Sequence, residues 1–141
     1  MTIQDDLIRD EGVRLKPYKD TVGKLTIGVG RNLDDVGISE TEAVNMLTAD
    51  IERAESALRR NFHWFIIAPE PVQRGLTNMA FNLGMQGLLG FRRMLSCLNA
   101  GDYAGAADAA LDSNWAKQVG ARAQRIADLF RSCAVKTGAT S

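Results

Sequence analysis

The stretch DEGVRLKPYKDTVGKLTIGVGRNL, residues 10–33, contains a change of periodicity that indicates the fold class. The residues before it space their apolar side chains as a helix does, and Gly12 after Glu11 is typical of a helix end. From Leu15 to Val29, apolar residues alternate with polar or small ones around a turn at Gly23. The stretch therefore predicts a helix followed by a β-hairpin.

Helical patterns dominate the rest of the chain. Ser39 and Glu42 form a capping box, and apolar residues then recur at helical spacing until about Arg60. Further helical patterns follow at 72–83, 91–98, 102–111 and 121–133. We therefore predict an α+β fold that is mostly α.

The length of the chain is that of one ordinary globular domain. We expect residues 1–141 to form a single domain with two lobes. The expected parts are a small lobe with the β-hairpin at 12–38, a long bridging helix at 39–60, and a larger helical lobe made of 1–11 and 61–141.

The charge balance argues against a general nucleic-acid binder. Lys and Arg together number 17, as do Asp and Glu, so the formal net charge is zero. Residues 1–60 carry a small acidic excess and residues 61–141 a matching basic excess. The basic half suits an anionic partner such as a cell-wall polymer, although the same charges also fit an ordinary solvated surface.

Few residues are of a type that binds metals. Cys97, Cys133 and His63 are too few for a zinc site or a disulfide scaffold, and we expect neither a metal nor an organic cofactor. The N-terminal residues TIQDDLIRDEG are acidic and lack an apolar run, so we expect no signal peptide and synthesis in the cytoplasm. No stretch approaches the length of a transmembrane helix.

Three side chains near the hairpin are candidates for chemistry. Glu11 lies in the last turn of the predicted helix, where the helix dipole disfavours a negative charge. Asp20 and Thr26 are expected roughly opposite each other across the hairpin, and Thr26 shares its face with Gly28 and Gly30, which leave room for a ligand. Two carboxyl groups and a hydroxyl around one opening could hydrolyse a glycosidic bond.

Each of these residues also has an ordinary interpretation. Glu11 could be a solvated surface residue, Asp20 a plain turn residue, and Thr26 a strand former. Two other kinds of site are not supported by the sequence. GVGRNL lacks the third glycine of a dinucleotide-binding motif, and no serine has a histidine at a spacing typical of a Ser-His-Asp site.

The residues quoted above resemble the signature of the phage lysozyme family, the muramidases of the T-even bacteriophage type (glycoside hydrolase family 24). The matching elements are Glu11-Gly12, Tyr18, Asp20, Gly23 and the run from Thr26 to Gly30. A second stretch, NMAFNLGMQGLLGFRRML at 78–95, resembles the helical-lobe motif of the family, as do Trp115, Arg122 and Arg125. The likeness covers most of the chain.

The resemblance implies a two-lobed lysozyme-like fold and assigns roles to the three candidates. Glu11 would be the general acid, Asp20 would help to hold and activate a water, and Thr26 would orient that water. The implied reaction is hydrolysis of the β-1,4 bond between N-acetylmuramic acid and N-acetylglucosamine in peptidoglycan, with inversion of the anomeric carbon. Arg122 resembles the arginine that pairs with the catalytic glutamate in this family.

The resemblance also implies substrate contacts. Phe81 and Asn82 match positions that line the glycan groove, and Phe81 could equally be a core residue. Gly30 and Asn32 complete the implied set of substrate-binding residues, with Asn32 standing where a leucine is usual.

Other departures from the family pattern concern single positions. Met94 and Ala109 stand where well-known members carry polar sugar contacts. Arg31 replaces a familiar histidine, and we expect it to pair with Asp50. These departures affect the expected sugar subsites more than the expected chemistry.

Two other functions compete with hydrolysis. A lytic transglycosylase needs one acid and forms a 1,6-anhydro sugar, but it excludes water and so has no use for Asp20 and Thr26. A non-catalytic wall-binding domain is the other alternative.

The resemblance implies peptidoglycan glycan strands as the partner, no stable membrane insertion and a monomer. Without a signal peptide, the protein would be made in the host cytoplasm and act on the cell wall after membrane permeabilisation. We therefore expect a functional dependence on a holin.

Overall fold

The computed structural model describes residues 1–138 as a mostly helical chain with a small antiparallel sheet. The elements are α1 (Ile3–Glu11), β1 (Arg14–Lys19), β2 (Leu25–Gly28), β3 (Arg31–Asn32), α2 (Glu40–Asn61), α3 (Glu70–Leu89), α4 (Arg92–Ala100), α5 (Tyr103–Leu111), α6 (Asn114–Val119) and α7 (Ala121–Gly138). The predicted α+β class, mostly α, is confirmed.

The contacts divide the chain into two compact units. The first unit is Met1–Leu47, and the second begins at Thr48, so the boundary falls within α2. The lobe limits expected from the sequence, at 12–38 and 39–60, stay predictions.

Helix α1 is closed by local signals at both ends. The Thr2 hydroxyl accepts a hydrogen bond from the Asp5 amide at 3.1 Å, and the Asp5 carboxylate accepts one from the Thr2 amide at 2.8 Å, which forms a capping box. Gly12 ends the helix with a φ of 75° and donates its amide to the Ile8 carbonyl. Glu11 is therefore the last residue of α1.

The register of the hairpin differs from the sequence prediction. Tyr18, and not Asp20, lies opposite Thr26. The amide of Asp20 donates to the carbonyl of Lys24 at 2.9 Å, which leaves three residues, 21–23, in the connecting turn. The hairpin is centred on Val22, one residue earlier than a pairing of Asp20 with Thr26 requires, so that expected pairing was wrong.

The sheet also contains a strand that the sequence did not predict. Strand β3 consists of Arg31 and Asn32 alone and pairs with β2, so that Asn32 lies opposite Thr26. Two residues are too few to show an alternating pattern, which is why periodicity did not reveal the strand.

The second unit has a continuous hydrophobic core between its helices. Its fully buried side chains include Leu58, Leu76, Met79, Leu88 and Phe130. Helices α3 and α7 pack closely at Gly75. A Cβ atom at this position would lie only 2.7 Å from Phe130 Cε1. These two helices carry Phe81, Asn82 and Arg122, so the core supports the candidate residues of this unit.

Two helical details refine the sequence prediction. The backbone of Gly84 interrupts α3 with a φ of 73°, as expected for a helix stop at this glycine, but the chain resumes the helix and continues to Leu89. Helix α6 was not predicted; the hydroxyl of Ser113 caps it by accepting from the Ala116 amide at 3.1 Å. A helix of six residues shows too little periodicity to be recognised from sequence.

Candidate active site

Glu11 ends α1 with an exposed side chain that lies against the backbone of Gly30. A Cβ atom at Gly30 would lie 2.9 Å from Glu11 Oε2 and 3.1 Å from its carboxyl carbon. Gly30 also has a φ of 66°, a conformation that L side chains rarely adopt. Both observations favour glycine at this position, next to the Glu11 carboxyl group. The catalytic role of Glu11 and the substrate contact of Gly30 stay predictions.

The Asp20 carboxylate is fixed by the turn that follows it. Its Oδ1 accepts hydrogen bonds from the Val22 amide at 3.0 Å and the Lys24 amide at 2.8 Å. No hydrogen bond from residues 1–138 reaches Oδ2. Asp20 is thus both a turn residue and a carboxylate with one oxygen available to a ligand.

Thr26 is buried in the centre of the small sheet, with 4% of its surface exposed. Its hydroxyl donates to the carbonyl of Lys24 at 2.9 Å. Because that proton is engaged, the hydroxyl oxygen can act toward a ligand as an acceptor through its lone pairs.

The peptide groups of Lys24 connect Asp20 with Thr26. The Lys24 amide donates to the Asp20 carboxylate, and the Lys24 carbonyl accepts from the Thr26 hydroxyl and from the Asp20 amide. The two candidates are therefore both held by Lys24, the residue that follows the turn, and not by a cross-strand pair.

Asn32 is engaged in a turn of its own. Its side-chain carbonyl accepts from the Asp35 amide at 2.9 Å, and its side-chain amide donates to the Asp35 carboxylate at 3.0 Å. Its predicted substrate contact stays a prediction, and the observed hydrogen bonds stabilise the turn after β3.

The structure corrects the predicted partner of Arg31. The guanidinium binds Glu42 in a bidentate manner, at 2.9 Å to Oε1 and 2.5 Å to Oε2, and also donates to the Gly37 carbonyl at 3.0 Å. Asp50, the expected partner, instead forms an ion pair with Arg53. The cause is the capping turn of α2, which brings Glu42 within reach.

Glu42 is also bound to the N-cap of α2, as the capping box predicted. Its Oε1 accepts from the Ser39 amide at 2.8 Å, and the Ser39 hydroxyl accepts from the Glu42 amide at 3.1 Å. The hydrogen bonds from Arg31, and then the one from the Ser39 amide, lower the pKa of Glu42 to about 2.

Phe81 is neither a core residue nor fully exposed, with 48% of its surface accessible. It borders a cavity of about 320 Å³ within the second unit. The cavity is otherwise lined by Asp50, Arg53, Ala54, Ala57, Ala80, Gly84 and Met85. An aromatic ring beside an open cavity can hold the apolar face of a sugar.

Asn82 is bound to an aromatic residue of the same unit. Its side-chain carbonyl accepts from the Trp115 indole at 2.7 Å, and the indole ring packs edge-on against Phe91 at a centroid distance of 5.8 Å. Trp115 also lines a second cavity, of about 460 Å³, together with Met94 and Ala109. Both departures from the family pattern in this unit therefore face one cavity.

Arg122 is held within the second unit. Its Nε donates to the Asn78 side chain at 2.8 Å, which links α7 to α3. Its expected pairing with Glu11 stays a prediction.

Three further features of residues 1–138 concern metal ligands, thiols and membrane-spanning helices. Within residues 1–138, His, Cys, Asp and Glu form no group of three or more that could hold a metal ion. Cys97 and Cys133 are both free thiols. The helices of this part of the chain include none with the length and apolar character needed to cross a membrane.

Sequence reasoning missed the contributions of Lys24 and of Glu42. Lys24 acts through its peptide groups, which any residue type supplies, so its side chain carries no signal. Glu42 was recognised as a capping residue, but its pairing with Arg31, 11 positions earlier, depends on the path of the loop between them.

The sequence of this chain matches a family of known proteins. The model of the family described as phage lysozyme matches residues 9–131. The pre-baseplate central spike protein of Enterobacteria phage T4 is 30% identical, over 89% of this chain and 27% of that protein. The SAR-endolysin of Escherichia phage Mu is 32% identical, over 74% of this chain and 61% of that protein.

A third relative matches over similar parts of both chains. The endolysin of Salmonella phage P22 is 32% identical, over 74% of this chain and 75% of its own length. By contrast, the chain spans about a quarter of the spike protein and about three fifths of the Mu endolysin, at 27% and 61%. Because the family match extends over most of the chain and includes Glu11, Asp20 and Thr26, the chain belongs to the phage lysozyme family.

Proposed function

We propose that this protein is a lysozyme that hydrolyses the β-1,4 bond between N-acetylmuramic acid and N-acetylglucosamine in bacterial peptidoglycan, with inversion of the anomeric carbon. The arrangement of Glu11, Asp20 and Thr26 in one compact unit carries the proposal. Glu11 lies against Gly30, which connects β2 with β3, and the other two side chains are held by the peptide groups of Lys24.

The acid is Glu11, whose carboxyl donates a proton to the glycosidic oxygen as the bond to the anomeric carbon breaks. A water attacks that carbon from the opposite face and yields a reducing muramic-acid end. The freed sugar leaves with a hydroxyl group that contains the transferred proton.

The water is positioned by the other two residues. The free Oδ2 of Asp20 accepts a hydrogen bond from the water and takes its proton as the new bond forms. The Thr26 hydroxyl, which already donates to the Lys24 carbonyl, accepts the second hydrogen bond of the water. Two acceptors direct the lone pair of the water toward the sugar, which is the orientation that attack requires.

The proposal also includes four residues that contact the glycan. Phe81 offers an exposed ring face to a sugar, and Asn82 retains its amide group as a donor because its carbonyl is engaged by Trp115. Gly30 and Asn32 contact the glycan near the acid. No metal or organic cofactor takes part in the proposed reaction.

A panel of near-isosteric variants tests the proposal on purified, dye-labelled peptidoglycan. Glu11→Gln, Asp20→Asn and Thr26→Val should each lower the rate of dye release by about 10²–10⁴-fold, since each removes one proton-transfer or positioning group. Asp10→Asn is the matched control, because Asp10 is a carboxylate of the same helix that pairs with Arg9. Its rate should stay within about twofold of the unchanged protein.

The variants also separate the competing functions. Circular dichroism must first show that each variant is folded. A folded Glu11→Gln variant that retains full activity would overturn the proposal. Loss of activity in Glu11→Gln alone, with Asp20→Asn and Thr26→Val unaffected, would favour a transglycosylase. Binding to peptidoglycan without release of dye by the unchanged protein would favour a wall-binding domain.

We further propose that the protein acts as a monomer, is made in the host cytoplasm and reaches the wall through a membrane lesion such as a holin makes. Co-expression with a holin should then cause lysis, and expression alone should not. Lysis from cells without any permeabilising partner would contradict the holin dependence.

A further inference from the structure

We propose that the Arg31–Glu42 ion pair positions the carboxyl group of Glu11 by fixing the backbone of Gly30. The inference rests on the proposed role of Glu11 as the acid. It concerns a pair of side chains that are not expected to touch the substrate, and in which Arg31 binds Glu42 instead of the expected Asp50.

The end of the Glu11 side chain lies against Gly30. A Cβ atom at Gly30 would lie within 3.3 Å of Oε2, the carboxyl carbon and Cγ of Glu11, so the end of the Glu11 side chain faces this one glycine. The side chain is otherwise exposed at the end of α1. The position of the Gly30 backbone therefore restricts the positions that the Glu11 carboxyl group can take.

Few backbone hydrogen bonds of the sheet hold the bend that contains Gly30. Gly30 lies between β2 and β3, with Ile27 opposite Arg31 on either side of the bend. Strand β3 has two residues, so the ladder alone gives this bend few hydrogen bonds. Gly30 also has a positive φ, and glycine lacks the Cβ atom that restricts the backbone of other residues to fewer conformations.

Arg31, the residue after Gly30, is fixed by hydrogen bonds of its side chain. Arg31 binds both carboxylate oxygens of Glu42 and the carbonyl of Gly37. Glu42 is in turn fixed by its reciprocal hydrogen bonds with Ser39 at the start of α2. A continuous series of hydrogen bonds therefore connects the N-cap of a long helix with the residue next to Gly30.

We expect the Arg31–Glu42 pair to fix the orientation of Arg31 more than to stabilise the fold. The side chains of Arg31 and Glu42 are more than a third exposed, at 36% and 41%, and exposed ion pairs contribute little to the free energy of unfolding. A bidentate pairing does specify orientation, because two parallel hydrogen bonds fix the plane of the guanidinium. Lysine keeps the charge of arginine but cannot form this fork.

The test compares Arg31→Lys, Arg31→Met and Glu42→Gln with Arg9→Met. Arg9 is an ion-paired arginine of the same unit, two residues from Glu11, and it serves as the matched control. Rates are measured on soluble peptidoglycan fragments well below the thermal midpoint of every variant.

We expect the three variants of the pair to lower kcat by about tenfold or more with KM unchanged, since small misplacement of a catalytic group has large effects on rate. Arg31→Lys should lose nearly as much kcat as Arg31→Met, although its charge is kept. Arg9→Met should change neither parameter by more than about twofold. Values of kcat for Arg31→Lys and Glu42→Gln that match the control would overturn the inference.

A second measurement is independent of activity. In NMR spectra of uniformly labelled protein, the Gly30 amide and the Glu11 side-chain carboxyl carbon should both shift in Arg31→Lys and stay in place in Arg9→Met. Unchanged signals would overturn the inference even if the rates fell. If the unchanged protein released no product, the proposed function would fail, and these signals would still decide whether the pair positions Glu11.

Discussion

At Glu42, one carboxylate accepts hydrogen bonds from the Arg31 guanidinium and from the Ser39 amide. These contacts are absent from the unfolded chain, in which the carboxyl keeps its ordinary pKa of 4.5, whereas in the folded protein the pKa is lowered to about 2. A lowered pKa means that the contacts stabilise the fold above pH 4.5 and that this stabilisation is lost as the pH falls from 4.5 toward 2.

We therefore predict that Glu42→Gln lowers the urea midpoint at pH 7 by a small amount, because the pair is more than a third exposed. The difference from the unchanged protein should shrink between pH 4.5 and pH 2. Urea titrations at five or six pH values would measure this. Glu40→Gln, which removes a negative charge from the same first turn, is the control. A difference that stays constant down to pH 2 would show that Glu42 is not the titrating group.

Between elements, the hydrogen bond from Trp115 to Asn82 joins α6 to α3. Trp115 is 5% exposed, so its indole N–H would lose its partner in a nearly buried position if the amide were removed. An unsatisfied buried donor costs about 1–3 kcal/mol. Asn82 therefore has a structural role in addition to its proposed contact with the glycan.

This double role can be separated by combining two variants. Asn82→Ala should lower the free energy of unfolding by about 1–3 kcal/mol and also lower activity. In the Trp115→Phe background, where the indole donor is gone, the stability cost of Asn82→Ala should largely vanish while the loss of activity persists. Urea titration and dye release measure the two effects. An activity loss that vanishes with the stability cost would remove Asn82 from the glycan site.

Across the whole molecule, long elements were predictable from sequence and short ones were not. The capping box at Ser39, the stop at Gly12 and the helical spacing of α2 depend on neighbouring residues, so they are visible in the sequence. Strand β3 and helix α6 are too short to show a period.

The sequence also did not reveal pairs of residues whose contact depends on the path of a turn. The pairing of Arg31 with Glu42 and the support of Asp20 by Lys24 depend on the exact length and path of turns, which residue types alone do not specify. The identities of Glu11, Asp20 and Thr26 were recognised from a signature, whereas their supports became visible in the structure.

We have proposed that this protein hydrolyses the glycan of peptidoglycan with Glu11 as the acid. Mass spectrometry of the soluble products released from purified peptidoglycan, by the unchanged protein and by Glu11→Gln in parallel, tests it most directly. We predict reducing muramic-acid ends from the unchanged protein and no such ends from Glu11→Gln. Anhydro ends, or reducing ends that persist in the folded Glu11→Gln variant, would contradict it.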